Sequence, residues 1–273
     1  MPPESADRGP DWALYAAHRE EFTRAVLSAA PKQAGRLCVL GAGKCNDLDL
    51  SRLAQAYGEL HLVDLEPALV ASAVSREDSV TRGRLLPHAP VDLAVLSAKR
   101  ASKWRRRAPN AAELEAAAST TLQGLLARLS GPFDVVVSAC VLTQLGFALS
   151  QSFPESHPLL GPLRIATARV HLQTLVGLTA PHGTALFVSD LASSNHYPLD
   201  ALPKDAKLDE VLGDVVAKRS FYHLARPDLI RGLLEEVAPG RQLTPLLPWL
   251  WTGPLNRTYL VYGFEISGDS AAT

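Results

Sequence analysis

Residues 36–67 read RLCVLGAGKCNDLDLSRLAQAYGELHLVDLEP, and the fold is decided there. Leu37, Val39 and Leu40 form a short apolar run that stops at Gly41-Ala42-Gly43. A run of that length bounded by glycines suits a buried parallel strand. Asn46 and Asp47 offer side chains able to cap a helix, and Leu48, Leu53 and Tyr57 follow at roughly helical spacing. Leu60, Leu62, Val63 and Leu65 make a second strand with Asp64 at its carboxyl end. Ligands of open α/β sheets bind just outside the carboxyl ends of the strands, where the glycines and Asp64 would both lie.

Alternation of helix and strand continues on both sides. Upstream, Trp12, Tyr15, Arg19, Phe22 and Val26 recur every three or four residues, which predicts a helix over 12–27. That helix can cover the sheet edge or the ligand cleft, and Tyr15, His18 and Arg19 could reach a ligand. Residues 1–10 are polar and proline-bearing and read as a loose tail. Downstream, a helix is expected over 68–75 and a third strand over 84–92, interrupted by Pro87 and Pro90. An alanine-rich amphipathic helix over 110–129 has Asn110 as its cap. Phe133 to Ser138 is the clearest strand, and Val141 to Leu149 reads as short helix or loop. A surface loop over 152–162, a helix over 165–178 and a strand over 185–190 ending on Asp190 come next. Residues 191–205 read as irregular. A helix over 227–236 opens with Pro227, and a long aromatic strand over 257–267 follows. Such alternation implies a mostly parallel sheet with helices on both faces.

At 273 residues the chain fits a single α/β unit with a large core. Its net charge of −1 supplies no global field for nucleic acid or an anionic membrane. The basic stretch 99–107, KRASKWRRR, reads as a solvated helix face. Cys38, Cys45 and Cys140 show no metal-ligand spacing, so reduced thiols in a cytoplasmic protein are expected. The first residues lack the basic-then-apolar order of a signal peptide, and no apolar run is long enough to span a bilayer.

The glycine turn serves no pyrophosphate. A dinucleotide fingerprint needs a small residue at position 46, which is Asn46, and no Gly-Lys-Ser/Thr follows as a Walker loop would require. What remains is a turn where backbone approaches a ligand, with an acid 21 residues beyond Gly43 at the offset of a ribose-binding carboxylate. A nucleoside without a pyrophosphate fits.

The chain resembles the class I S-adenosylmethionine-dependent methyltransferases in four blocks taken in order: VLGAGKC (39–45), LVDLEP (62–67), FDVVVSACVLTQL (133–145) and PHGTALFVSD (181–190). The resemblance implies a Rossmann-like, seven-stranded, mostly parallel sheet whose last strand, 257–267, is antiparallel. It implies a tail and cap helix over 1–34 and a methyltransferase domain over 35–273. Gly41, Ala42 and Gly43 would pass under the methionine part of S-adenosyl-L-methionine. Asp64 would take the ribose hydroxyls, Leu65 would lie against the adenine, and Asp92 or Leu93 would contact it. Ser138 and Ala139 would flank the sulfonium. Cys45 stands where the family usually has a third glycine. The first strand lacks the family's common acid, so Arg19 or Asn46 would hold the amino-acid end.

Methyl transfer to a hydroxyl or protonated amine also needs a base. His196 and Asp190 after the fifth strand, then His223, are the candidates, with His171 on the preceding helix a further one. The fourth strand lacks the Asn/Asp-Pro-Pro-aromatic pattern of amino-methylating enzymes acting on nucleic acids and proteins, which points to a small-molecule O, N or S acceptor. Tyr197, Tyr222, Trp249 and Trp251 would wall an apolar pocket or plug the core. Two alternatives stand beside this: an NAD(P)-dependent oxidoreductase, and a non-catalytic S-adenosylmethionine-binding protein.

Overall fold

The structure, a computed structural model, describes residues 11–222, 224–253 and 256–268. In chain order its elements are α1 Asp11–Leu14, α2 Ala16–Ser28, β1 Gly35–Leu40, α3 Leu50–Ala56, β2 Tyr57–Val63, α4 Pro67–Ser75, α5 Ser79–Arg82, β3 Leu85–His88 and α6 Ala98–Arg106. Then come α7 Ala111–Leu129, β4 Phe133–Ala139, α8 Val141–Ser152, α9 Leu160–Leu178, β5 Thr179–Ser193, α10 Leu208–Ala217, α11 Pro227–Val237, β6 Gln242–Gly253 and β7 Arg257–Ser267.

The strands form one seven-stranded sheet in the order β3-β2-β1-β4-β5-β7-β6. The first five strands pair in parallel, and β7 runs antiparallel between β5 and β6. Proline cannot donate to a ladder: β3 with Pro87 and β6 with Pro245 and Pro248 stand at the two edges, and the central β5 carries Pro181 near its start, before the regular pairing with β4 that runs from Thr184.

Side chains alternate across the central strands. Leu37, Val39, Val135 and Val137 pack on one face with Phe22 of α2 and Leu53 of α3. Cys38, Val136 and Phe187 pack on the other with Leu172 and Leu175 of α9 and Ile230 of α11. Burial on both faces is why β1 and β4 read as continuous apolar runs.

Local differences from the sequence expectation have identifiable causes. The helix after the glycine turn begins at Leu50, and its cap is Asp49, whose carboxylate accepts from the Arg52 N–H at 3.1 Å. Asn46 and Asp47 remain in the loop. Tyr57 opens β2, fully buried, and its hydroxyl donates to the Val26 carbonyl at 2.7 Å. The third strand stops at His88, short of Asp92. Helix α9 starts at Leu160, because Pro162 falls in the first turn, where its missing N–H is no loss. Trp249 and Trp251 sit inside β6 and are buried; Trp249 Nε1 donates to His18 Nδ1 at 3.0 Å. Both tryptophans therefore plug the core beneath α2.

Candidate functional site

Backbone geometry fixes the turn after β1. The Gly41 and Ala42 N–H groups both donate to the Val63 carbonyl, at 2.8 and 2.9 Å, tying the end of β1 to the end of β2. Gly41 and Gly43 lie in the left-handed region, with φ of +72° and +49°. A Cβ on Gly41 would stand 2.2 Å from Val141 Cγ2, so no side chain fits there. A Cβ on Gly43 would meet nothing within 4 Å, so the turn borders open space at that residue.

Asp64 faces this turn. Its Oδ2 accepts from the Gly43 N–H at 2.7 Å and its Oδ1 from the Glu66 N–H at 2.8 Å. Leu65 beside it is half exposed. The Asp64 N–H donates to the His88 carbonyl at 3.2 Å, and the Val91 N–H donates to the Asp64 carbonyl at 2.8 Å. Asp92, exposed, accepts from the Ala94 N–H at 2.9 Å, whereas Leu93 is buried. The structure thus brings Gly41, Ala42, Gly43, Asp64, Leu65 and Asp92 to the carboxyl edges of β1, β2 and β3.

Arg19 acts on this edge through the loop. Its guanidinium donates to the carbonyls of Trp12 at 3.0 Å and Asn46 at 2.9 Å, and lies 3.5 Å over the Trp12 ring. Asn46 Oδ1 in turn accepts from Arg76 at 3.2 Å. The neighbouring Asp47 is a carboxylate that the sequence reading treated only as a cap; burial pushes it up to about 7.

Ser138 is turned away from the edge. On β4 it shares the α9-facing side with Val136, and its hydroxyl is hydrogen-bonded to His171 Nε2 at 2.7 Å. Burial holds His171 down to about 4, and its Nδ1 has no partner among the described residues. The pair is neutral and enclosed, so His171 is a core histidine. The next residue, Ala139, ends β4 on the opposite face.

A cleft of about 700 Å³ opens between the start of α8 and the end of β5. Asp190 lines it, its Oδ1 accepting from Thr143 Oγ1 at 2.6 Å. Burial raises the Asp190 carboxyl to about 6, against the lowering effect of the Thr143 hydrogen bond. Cys140, with φ of +54°, joins β4 to α8. Burial and, after it, the charges of Asp190 and Asp47 push its thiol well above the ordinary range.

His196 also lines the cleft, with Nδ1 3.1 Å from Ser193 Oγ and its ring edge-on to Tyr222 at 4.6 Å. Phe147, Phe221, Tyr222 and Tyr259 supply aromatic walls. Arg164 lines the cleft bonded to Glu155 at 2.6 Å, and Arg219 lines it too. Tyr197 is elsewhere, donating to Asp214 at 2.6 Å. His223 lies outside the described residues. Among the described residues no three His, Cys, Asp or Glu side chains are grouped to hold a metal, and no helix is long and apolar enough to cross a membrane.

Sequence reasoning found Asp190, His196 and Tyr222 but missed Thr143, Phe147, Arg164, Arg219 and Tyr259. Thr143 lies within the quoted 133–145 block and could have been found as the first polar residue of α8. Arg219 has no local signal.

No family model matches the chain, and no curated protein matches it. Solved structures resemble it in shape. The YcgJ protein from Bacillus subtilis has a TM-score of 0.50 at 9% identity, over 93% of this chain and 100% of that one. The chain has a Rossmann-like fold, a seven-stranded, mostly parallel sheet with helices on both faces. The O-methyltransferase TomG from Streptomyces achromogenes, solved with SAM, has a TM-score of 0.45 at 15% identity, over 97% of this chain and 88% of that one. The plantazolicin methyltransferase BpumL, solved with SAH, has a TM-score of 0.49 at 10% identity, over 97% of this chain and 88% of that one. At such identities the likeness is one of fold.

Proposed function

We propose that the chain binds S-adenosyl-L-methionine along the carboxyl edges of β1 to β4 and methylates a small molecule held in the Asp190 cleft. One observation carries this: the Asp64 carboxylate and the Gly43 N–H meet at 2.7 Å beside open space and an exposed leucine. Each Asp64 oxygen accepts one backbone N–H and keeps a lone pair for a ribose hydroxyl. Leu65 offers an apolar shelf to the adenine, with Asp92 at the rim. Gly41 to Gly43 let the backbone pass close under the methionine part. Arg19 positions this edge by clamping the Asn46 loop to the helix ahead of the domain, rather than by touching the cofactor. Ser138 contributes its backbone at the strand end, its hydroxyl being committed to His171.

The cofactor when bound supplies an electrophilic methyl group on a sulfonium. The rest falls to the chain's own residues. Proximity and alignment provide much of such a rate. Asp190 is the base for a protonated oxygen or nitrogen acceptor. Its carboxyl, raised to about 6, is ionised at neutral pH yet basic enough to take a proton. Thr143 fixes its orientation. His196, more exposed and bonded to Ser193, is the second candidate base. A volume of about 700 Å³ suits a small molecule. Residues 35–273 act as the methyltransferase domain in this scheme, and free thiols at Cys38, Cys45 and Cys140 support a cytoplasmic setting.

Calorimetry with S-adenosylmethionine, S-adenosylhomocysteine and NAD tests the cofactor. Both sulfur ligands should bind and NAD should not. Asp64→Ala should weaken S-adenosylhomocysteine by about a hundredfold, since it removes two charge-assisted hydrogen bonds of roughly 1.5 kcal/mol each. No binding by the wild type, or unchanged binding by Asp64→Ala, would sink the proposal.

A further inference from the structure

We propose that the Asp190 cleft takes a flat aromatic alcohol or phenol bearing an acidic group, with its hydroxyl at Asp190 and its anion at Arg219. This rests on the methyl transfer proposed above and names the acceptor class. Three features of the cleft carry it.

The first is the wall. Phe147, the adjacent pair Phe221 and Tyr222, and Tyr259 come from three parts of the chain and line one space. Phe147 is 67% exposed, so a ring lying against it would remove apolar surface from water. Aromatic side chains pair best with other flat rings, stacked with an offset or edge to face.

The second is the distribution of charge. The carboxylates of the lining are Glu155 and Asp190, and its guanidiniums are Arg164 and Arg219. Arg164 is committed to Glu155 at 2.6 Å and to Ser150 at 3.1 Å. Arg219 makes no side-chain hydrogen bond or ion pair with the described residues. Among the described residues of the lining, Arg219 is therefore the uncommitted guanidinium, a side chain built for bidentate recognition of a carboxylate or phosphate. A cationic amine acceptor would meet like charge there, and a purely apolar acceptor would leave the guanidinium unused.

The third is the proton acceptor. Thr143 donates to Oδ1 of Asp190 and the Cys140 thiol also bonds the carboxylate, whose two oxygens together offer about four lone-pair sites and so keep room for an acceptor hydroxyl. In turnover the hydroxyl proton passes to Asp190 while the acceptor oxygen forms its bond to the methyl carbon. The carbon–sulfur bond breaks with its electron pair left on sulfur, and Asp190 then returns the proton to solvent.

The test uses 4-hydroxycinnamate and its methyl ester as probes, titrated calorimetrically into the full-length protein with and without S-adenosylhomocysteine. The acid should bind about tenfold more tightly than the ester, as one charge-assisted contact at an exposed arginine provides. The difference should shrink with added salt. Arg219→Gln should bring the ratio close to one, and Arg219→Lys should keep part of it. Phe147→Ala should weaken both probes alike. Lys218→Gln, which changes the charge of the adjacent residue outside the cleft lining, should leave the ratio intact. Equal affinity for acid and ester, an undiminished ratio in Arg219→Gln, or no binding of either probe overturns the proposal. S-adenosylhomocysteine titrated alone reports on the cofactor site separately. If it fails to bind while the acid preference persists, methyl transfer falls and the ligand class stands; the converse result removes the ligand class alone.

Discussion

Replacing Gly43 and Gly41 in turn by alanine separates two demands on the same turn. At Gly43, with φ of +49°, an L-residue costs roughly 1–2 kcal/mol in the left-handed region. The added Cβ meets nothing within 4 Å, so no steric cost joins the conformational one. Gly43→Ala should therefore fold, with its melting temperature lowered by about 2–6 °C for a chain of this size. Its methyl group, however, stands in the space assigned to the cofactor, and S-adenosylhomocysteine affinity should fall by at least about tenfold, ~1.4 kcal/mol. At Gly41 the same conformational cost applies at φ of +72°, and the Cβ would lie 2.2 Å from Val141 Cγ2. Forced overpacking adds about 1–3 kcal/mol, for a total of roughly 2–5 kcal/mol. Gly41→Ala should thus be the more damaged fold. Val141→Ala in the same chain should restore part of the loss, because the two side chains share one contact. Urea denaturation followed by calorimetry on each variant measures both quantities. Gly43→Ala binding S-adenosylhomocysteine as the wild type does, or destabilised as much as Gly41→Ala, would refute the assignment of space above the turn.

Three further outcomes are expected. Asp190→Asn should lower methyl transfer to an oxygen acceptor by about 10²–10⁴-fold, and the wild-type rate should climb with pH through about 6, where an ordinary aspartate would already be fully ionised; a flat profile from pH 5 to 8 would remove Asp190 as the base. Asp47, raised by burial from 3.8 to about 7, binds its proton more tightly in the folded state, so its contribution to stability is complete below the unfolded value and lost as pH rises through about 7. Asp47→Asn should accordingly stabilise the fold by on the order of 1–2 kcal/mol at pH 8, with the gain closing as pH falls toward 4; an equal gain at both ends, by urea titration, would contradict this. Ser138→Ala should cost roughly 1–3 kcal/mol by leaving both His171 ring nitrogens unpaired, and a parallel tenfold drop in S-adenosylhomocysteine affinity would return the Ser138 hydroxyl to the cofactor.

The central strands were legible because burial on both faces writes itself as an apolar run, as in Leu37–Leu40 and Val135–Val137. The edges were not. Strand β6 carries Pro245 and Pro248, and its tryptophans announce burial without announcing a strand. Helix α10 lies in a stretch whose polar surroundings mask its period. At the site, the glycines and Asp64 could be named because their chemistry occupies one continuous stretch. Ser138 shows the limit of that method, since one position along a strand reverses the face. Val137 and Ala139 point toward α2 and α3, and Ser138 points toward α9. The cleft was only partly legible. Phe147, Arg164, Arg219 and Tyr259 converge from four distant segments, and no local pattern states that they share a space with Asp190.

The edge proposed for the cofactor is held mostly by main-chain groups. Gly41 and Ala42 share the Val63 carbonyl, the Asp64 N–H reaches His88, and the Val91 N–H returns to Asp64. Ala42 and Val91 supply N–H groups, which every residue but proline has, and Val63 and His88 supply carbonyls, which every residue has, so these bonds do not depend on side-chain identity. Individual chemistry is demanded at few places: no side chain at Gly41 or Gly43, a carboxylate at Asp64. Lineages sharing this architecture can therefore drift until their sequences no longer align, while the rim itself scarcely changes. Ancestry in such a chain is better sought in the spacing of those three residues and the bonds that join them than in overall identity.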